Sequence, residues 1–279
     1  MKSFCIKTNS QKVVQYLLSS LNFPNTYVSI RKFKIYDNII IHYTGEDISG
    51  FYNNLANNIV YLTIDLYEKR LLNNIIKSNY FYFSDYEQKS VLNKCLTYLE
   101  DTSSIEYKVR IEHIYISALK YITNNKSMIL TGFINFRLSN YLKILDYIVD
   151  ISVNELVVDR EYKEFINLLK AYVNSNPSNI SLVHFFYKNN ESILLDSNYK
   201  TIPFEADLSN LNYISDVSFS ENDISLNTLL NLLPKKIIIH LSKDSDEFIT
   251  TLTSIFENRI EFAKWKETVI LHYCPFLLL

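Results

Sequence analysis

The sequence predicts an α+β protein, a central helical bundle flanked by small N-terminal and C-terminal α/β parts that are free to pair into one sheet. Three observations carry this expectation. Short β-branched and aromatic runs fill the first 45 residues and return after residue 180. Between them, apolar residues recur three or four apart, the spacing that builds one face of an α-helix. Ser175-Asn176-Pro177-Ser178-Asn179 is the clearest interruption, because proline and its polar neighbours cannot continue a helix. The expected divisions are residues 1–45, 46–174 and 180–279.

The elements follow in order. Ser3 to Lys7 reads as a short strand, and Ser10 to Leu21 as an amphipathic helix with Val13, Val14, Leu17, Leu18 and Leu21 on one side. Val28 to Tyr36 and Ile39 to Tyr43 are β-rich runs with Asp37-Asn38 as the expected hairpin turn. Asp47 can cap a helix whose stripe is Phe51, Leu55, Ile59, Leu62 and Leu66, extended by Leu72, Ile75 and Ile76. Ser84 with Glu87 is a capping-box pattern opening a helix to Leu99. Tyr107 to Ile122 is a third helix, with Ile111, Ile114, Ala118 and Ile122 on one side; Met128 to Leu156 is a fourth. Tyr162, Phe165, Ile166, Leu169, Tyr172 and Val173 mark a further buried stripe. Beyond the interruption, Ser181 to Tyr187 and Ser192 to Asp196 form a hairpin around Lys188-Asn189-Asn190. Leu226 to Leu233 is helical, Lys236 to Leu241 is a strand, and Ser245 to Phe256 is an amphipathic helix.

Composition narrows the chemistry. The 28 Lys plus Arg against 30 Asp plus Glu leave a formal net charge of -2, which lacks the basic footprint of a dedicated nucleic-acid binder. Three glycines, scattered beside 22 Tyr and 17 Phe, leave no glycine-rich phosphate loop. Cys5, Cys95 and Cys274 are far apart and form no C-x-x-C pair, arguing against a disulfide framework or a zinc site and for a reduced, cytoplasmic compartment. His272 with Cys274 falls short of a metal set, and His42, His113, His184, His240 and His272 read as packing residues. No catalytic residue, cofactor or metal is expected. No apolar run is long enough to span a bilayer, and the tail Thr268 to Leu279 is expected to dock on the body of the protein. The acidic string Asp244, Asp246 and Glu247 is explained by helix capping.

The helix around Arg137 is the most informative. At 100° per residue, Asn135, Ser139, Lys143, Asp146, Asp150 and Asn154 fall on one polar arc, whereas Arg137 and Glu155 align with Phe133, Tyr141, Ile144, Ile148 and Ile151. A charge on an apolar face is costly unless paired, and eighteen residues of unbroken helix put about 27 Å between these two. Three readings stay open: Arg137 meets an acidic residue such as Glu161 or Glu164 across the bundle and sets helix register, lines with Tyr141 and Arg160 a groove for an anionic ligand or a partner's carboxylate, using its planar fork, or snorkels at the edge of the stripe.

At these residues the sequence resembles a known family. Leu130-Thr131-Gly132-Phe133-Ile134-Asn135-Phe136-Arg137-Leu138, then Tyr141, Asp150, Glu155 and the stretch Glu161 to Leu169, is similar to the central segment of YtxC-like sporulation proteins. Phe51 to Ala56 and Val183-His184 extend the resemblance. It implies a sporulation-associated protein of a spore-forming bacterium and carries over no catalytic residue. The expected function is a non-enzymatic interaction or regulatory factor that binds a protein partner through a helical groove, with Arg137, Tyr141, Glu155, Arg160, Glu161 and Glu164 as candidates. The alternative is a nucleic-acid-associated factor, ahead of an enzyme whose dispersed site collects His184, Glu161 or Arg137.

Overall fold

A computed structural model of the chain describes residues 1–188, 191–203, 220–241 and 246–264. The apolar tail at 268–279, Asp244 and the hairpin turn at 189–190 lie outside the described residues. The fold is α+β, and the chain divides into two compact units, Met1–Val158 and Asp159–Leu279.

In the first unit, β1 (Lys2–Thr8), β2 (Thr26–Phe33), β3 (Tyr36–Tyr43) and β4 (Ser127–Ile129) form a sheet in the order β2-β3-β1-β4. Strands β2 and β1 run antiparallel to β3, and β4 runs parallel to β1. Side chains alternate along a strand, so Phe4 and Ile6 of β1 and Ile39 and Ile41 of β3 point together into the core. The β2–β3 turn is Lys34-Ile35, with Phe33 opposite Tyr36, not the expected Asp37-Asn38. Asp37 instead pairs with Lys32 inside the ladder and accepts a hydrogen bond from Gln11 Nε2 at 2.9 Å.

The helices of this unit are α1 (Gln11–Ser20), α2 (Ile48–Thr63), α3 (Lys69–Asn79), α4 (Asp85–Glu100), α5 (Ile105–Asn124), α6 (Leu130–Arg137) and the part of α7 (Ser139–Ser175) up to Val158. Two of these helices start as the capping chemistry read from the residues requires. Asp47 accepts the Gly50 N–H at 2.8 Å, and Ser84 and Glu87 close a complete capping box. One turn departs from α geometry: Ile64–Glu68, between α2 and α3, is π-helical. Its i→i+5 spacing carries the buried stripe from Leu62 to Tyr67 in place of Leu66, and it turns Glu68 inward. Leu17, Ile39, Leu55, Ile59, Ile114, Ile134 and Leu145 belong to one continuous core, each buried aliphatic side chain contributing about 1.5–3 kcal/mol.

The second unit holds the rest of α7, then β5 (Ile180–Lys188), β6 (Glu191–Leu195), α8 (Glu221–Leu232), β7 (Pro234–Leu241), α9 (Glu247–Phe256) and β8 (Ile260–Lys264). Its sheet has the order β6-β5-β7-β8, with β5, β7 and β8 mutually parallel along the ladder and β6 antiparallel. The two end parts therefore build separate sheets and do not share one. Val183, Phe185, Ile237 and Ile239 pack against Leu229, Ile249, Leu252 and Val173. Arg259 fastens the end of α7 to the start of β7 by donating to the carbonyls of Val173 at 2.6 Å and Pro234 at 3.1 Å. None of the three glycines takes a positive φ, whereas Asn25, Lys34, Tyr199, Leu233 and Glu257 do.

Candidate functional site

Two neighbouring features of the first unit carry its polar chemistry, one buried and one open. The buried one is built on the π turn. Glu68, 5% exposed, takes a hydrogen bond from Arg110 Nη1 on Oε1 at 2.5 Å and from the Tyr141 hydroxyl on Oε2 at 2.9 Å. Arg110, 3% exposed, also donates from Nη2 to the Leu99 carbonyl at 2.9 Å and lies 4.9 Å from the Tyr107 ring centroid. Its Nε finds no acceptor among the described residues. Burial raises the Glu68 carboxyl above its ordinary value, opposed by the Arg110 charge and both hydrogen bonds. Burial and the Glu68 charge also drive the Tyr141 phenol far up, so it stays protonated and donates. The trio ties α5 and α7 to the turn between α2 and α3, and it fixes those helices against one another.

The open feature is a depression lined by Ser90, Asn93, Lys94, Thr97, Tyr98, Asp101 and Glu155. Lys94 Nζ meets Glu155 Oε2 at 3.2 Å across the gap between α4 and α7. Asp101 accepts from both the Ser103 hydroxyl, at 2.6 Å, and the Ser103 N–H, at 3.0 Å; these bonds hold its carboxyl below the usual range and keep it ionised. The Tyr98 phenol is raised first by the Glu106 charge, then by burial, Tyr147, Glu155 and Asp101. Carboxylates thus outnumber the single lysine around that ring. The depression favours a cationic, ring-stacking visitor.

The expected site residues are divided between the two units, Arg137, Tyr141 and Glu155 in the first and Arg160, Glu161 and Glu164 in the second. Arg137 is exposed: α6 stops there, and Leu138 (φ -102°, ψ 36°) breaks the helix, so a continuous projection from Phe133 to Tyr141 does not apply. It makes no ion pair with any other described residue of the first unit. The buried charge is on Tyr141's side of the break, at Glu68 and Arg110. Glu155 is at the surface with Lys94. Arg160 faces Glu164 at 3.9 Å one turn away, both exposed, and Glu161 is exposed too. Tyr162, Phe165 and Tyr172 of the expected buried stripe are also exposed, and only Val173 is fully enclosed. Of the two buried charges that the sequence reading leaves out, Arg110 has a trace: it is in strict i, i+4 register with Ile114, Ala118 and Ile122, which makes it a member of the buried stripe. Glu68 left none, because the π turn shifts the count.

In the second unit, His184 Nδ1 and His240 Nε2 are 3.1 Å apart on the face of β5 and β7 opposite the unit's main core. Tyr199 stacks on His184 and Phe186 on His240, and burial holds His184 below 6.5 against the pull of Asp196. This is a packed pair, in keeping with histidines as strand residues.

A sequence profile of the YtxC-like family matches residues 53–261, from within α2 to β8. The chain belongs to the YtxC-like family. The uncharacterized protein YtxC of Bacillus subtilis (strain 168) is 22% identical over 130 residues, 47% of this chain and 46% of that relative, so the likeness spans about half of each. No solved structure gives a significant match. The family match includes Glu68, Arg110, Tyr141 and the whole lining of the open depression, whereas β1, α1, β2 and β3 precede it. No helix among the described residues is long and apolar enough to cross a membrane.

Proposed function

We propose that this member of the YtxC-like family is a non-enzymatic interaction factor of sporulation, and that it captures a basic segment of a protein partner in the depression between α4 and α7. The observation that carries this reading is the set of carboxylates gathered around Tyr98: Glu155, Asp101 and Glu106, with Lys94 as the cation a partner would displace. An exposed ion pair is worth only about 0–1 kcal/mol, so exchanging Lys94 for an incoming arginine costs little, and arginine adds a stacking plane for the phenol. The buried Cys95 thiol of α4 donates to Ser152 Oγ of α7 at 3.3 Å, which holds the two helices at a fixed spacing and limits the ordering cost of binding. Arg137, exposed beside Phe136, supplies a second contact point in this reading rather than the groove itself.

The test uses a photo-crosslinking residue at position 98 in sporulating cells, with a control at Tyr61 on another exposed helix surface. A discrete adduct at 98, absent at 61 and lost when Asp101→Lys and Glu155→Lys are combined, is expected. Adducts indifferent to the charge reversal would remove the depression from the function.

A further inference from the structure

The β2–β3 hairpin ends in a combination that folding does not require. Phe33 closes β2, Lys34 and Ile35 make the turn, and Arg31 and Lys32 precede them. Phe33 is 65% exposed and Ile35 73%, so the apex presents a bare ring and a bare aliphatic side chain. Arg31, Lys32 and Lys34 are exposed, and none has an ion-pair partner among the described residues. The adjacent carboxylate, Asp37, is buried and engaged by Gln11. Lys34 has φ 55°, a conformation that glycine or asparagine adopts far more readily at a two-residue hairpin turn. Its ammonium sits 5.6 Å from the Phe33 ring centroid. The turn thus keeps a cation and two apolar side chains where stability alone would choose small polar residues, the kind of local strain that accompanies a working surface.

We infer that this hairpin tip docks peripherally on an anionic lipid surface, with Phe33 and Ile35 entering the headgroup–acyl boundary and Arg31, Lys32 and Lys34 meeting lipid phosphates. The charge complementarity is local, against a formal net charge of -2 for the whole chain. Lysine and arginine on the polar rim with aromatic and aliphatic groups inside is the pattern of interfacial anchors. The other occupants fit less well. Single-stranded nucleic acid wants a cationic groove lined with rings, and Ile35 at the apex offers it nothing to stack on. A second copy could add to the free edge of β2, but it would bring a like-charged Arg31 and Lys32 with it.

The full chain would be co-sedimented with vesicles of phosphatidylcholine alone and of phosphatidylcholine mixed with phosphatidylglycerol, at about 0.1 M salt, where charges are felt over about 10 Å. Partition into the anionic vesicles only is expected. Each cation near such a surface is worth about fivefold, so Lys32→Gln with Lys34→Gln should weaken partition about 25-fold. Phe33→Ser with Ile35→Ser should weaken it at least about tenfold, with the thermal transition retained. Absence of the wild-type protein from the anionic pellet would overturn the inference, as would undiminished binding by the Phe33/Ile35 variant. Retention on a single-stranded oligonucleotide instead of vesicles, or a dimer that these variants dissociate, would hand the tip to those occupants and overturn it too.

Discussion

Glu68 and Arg110 show how strongly one buried charge depends on another. Their attraction compensates for the loss of water only while both are present and the Tyr141 hydroxyl and Leu99 carbonyl complete the hydrogen bonding. Arg110→Ala strands an ionised carboxylate in the core and is expected to cost about 3–5 kcal/mol in chemical denaturation. Replacing both residues with leucine removes both desolvation costs and is expected to fall within about 1–2 kcal/mol of wild type. A double variant as unstable as the single one would show that the pair is an independent source of stability rather than a compensated cost.

Among the elements, those set by local chemistry were legible and those set by packing were not. Asp47, Ser84 and Asp246 each satisfy free N–H groups at a helix start, so these helices begin where their caps stand. Ser84→Ala should therefore lower stability by about 1 kcal/mol, measured as a shifted denaturation midpoint with an unchanged slope. An unshifted midpoint would mean that the α3–α4 connection is held by its aromatic neighbours alone. The π turn at Ile64–Glu68 and the break at Leu138 have no such local marker. A strict 3.6-residue count runs straight through both, so it places Arg137 on the buried face and gives Glu68 no inward position. The depression around Tyr98 was partly readable: Glu155 stood out on its helix, but Lys94 and Asp101 look like ordinary surface residues until α4 and α7 are brought together.

At the scale of the molecule, the two units have separate cores and titrate in opposite senses. Glu68 in the first unit has its folded pKa raised above the ordinary 4.5, so its contribution to stability is full below 4.5 and is lost as pH rises through the folded value. His184 in the second has its folded pKa depressed below 6.5, so its contribution is present above 6.5 and is lost as pH falls through the folded value. Hydrogen exchange followed peptide by peptide across mild acid should show protection falling in the second unit while the Glu68 contribution to the first rises. Glu68→Gln and His184→Gln should each flatten the slope of its own unit only. Slopes untouched by both substitutions would place the titration in other groups.

Among the described residues, five bends take a positive φ on asparagine, lysine, tyrosine, leucine and glutamate, while none of the three glycines does. A chain composed this way has left untaken an inexpensive route to a sturdier fold: at an exposed bend such as Lys34, one exchanged side chain would relieve a twist that the present one endures. Its present sequence is one among several that the same architecture would tolerate with greater ease.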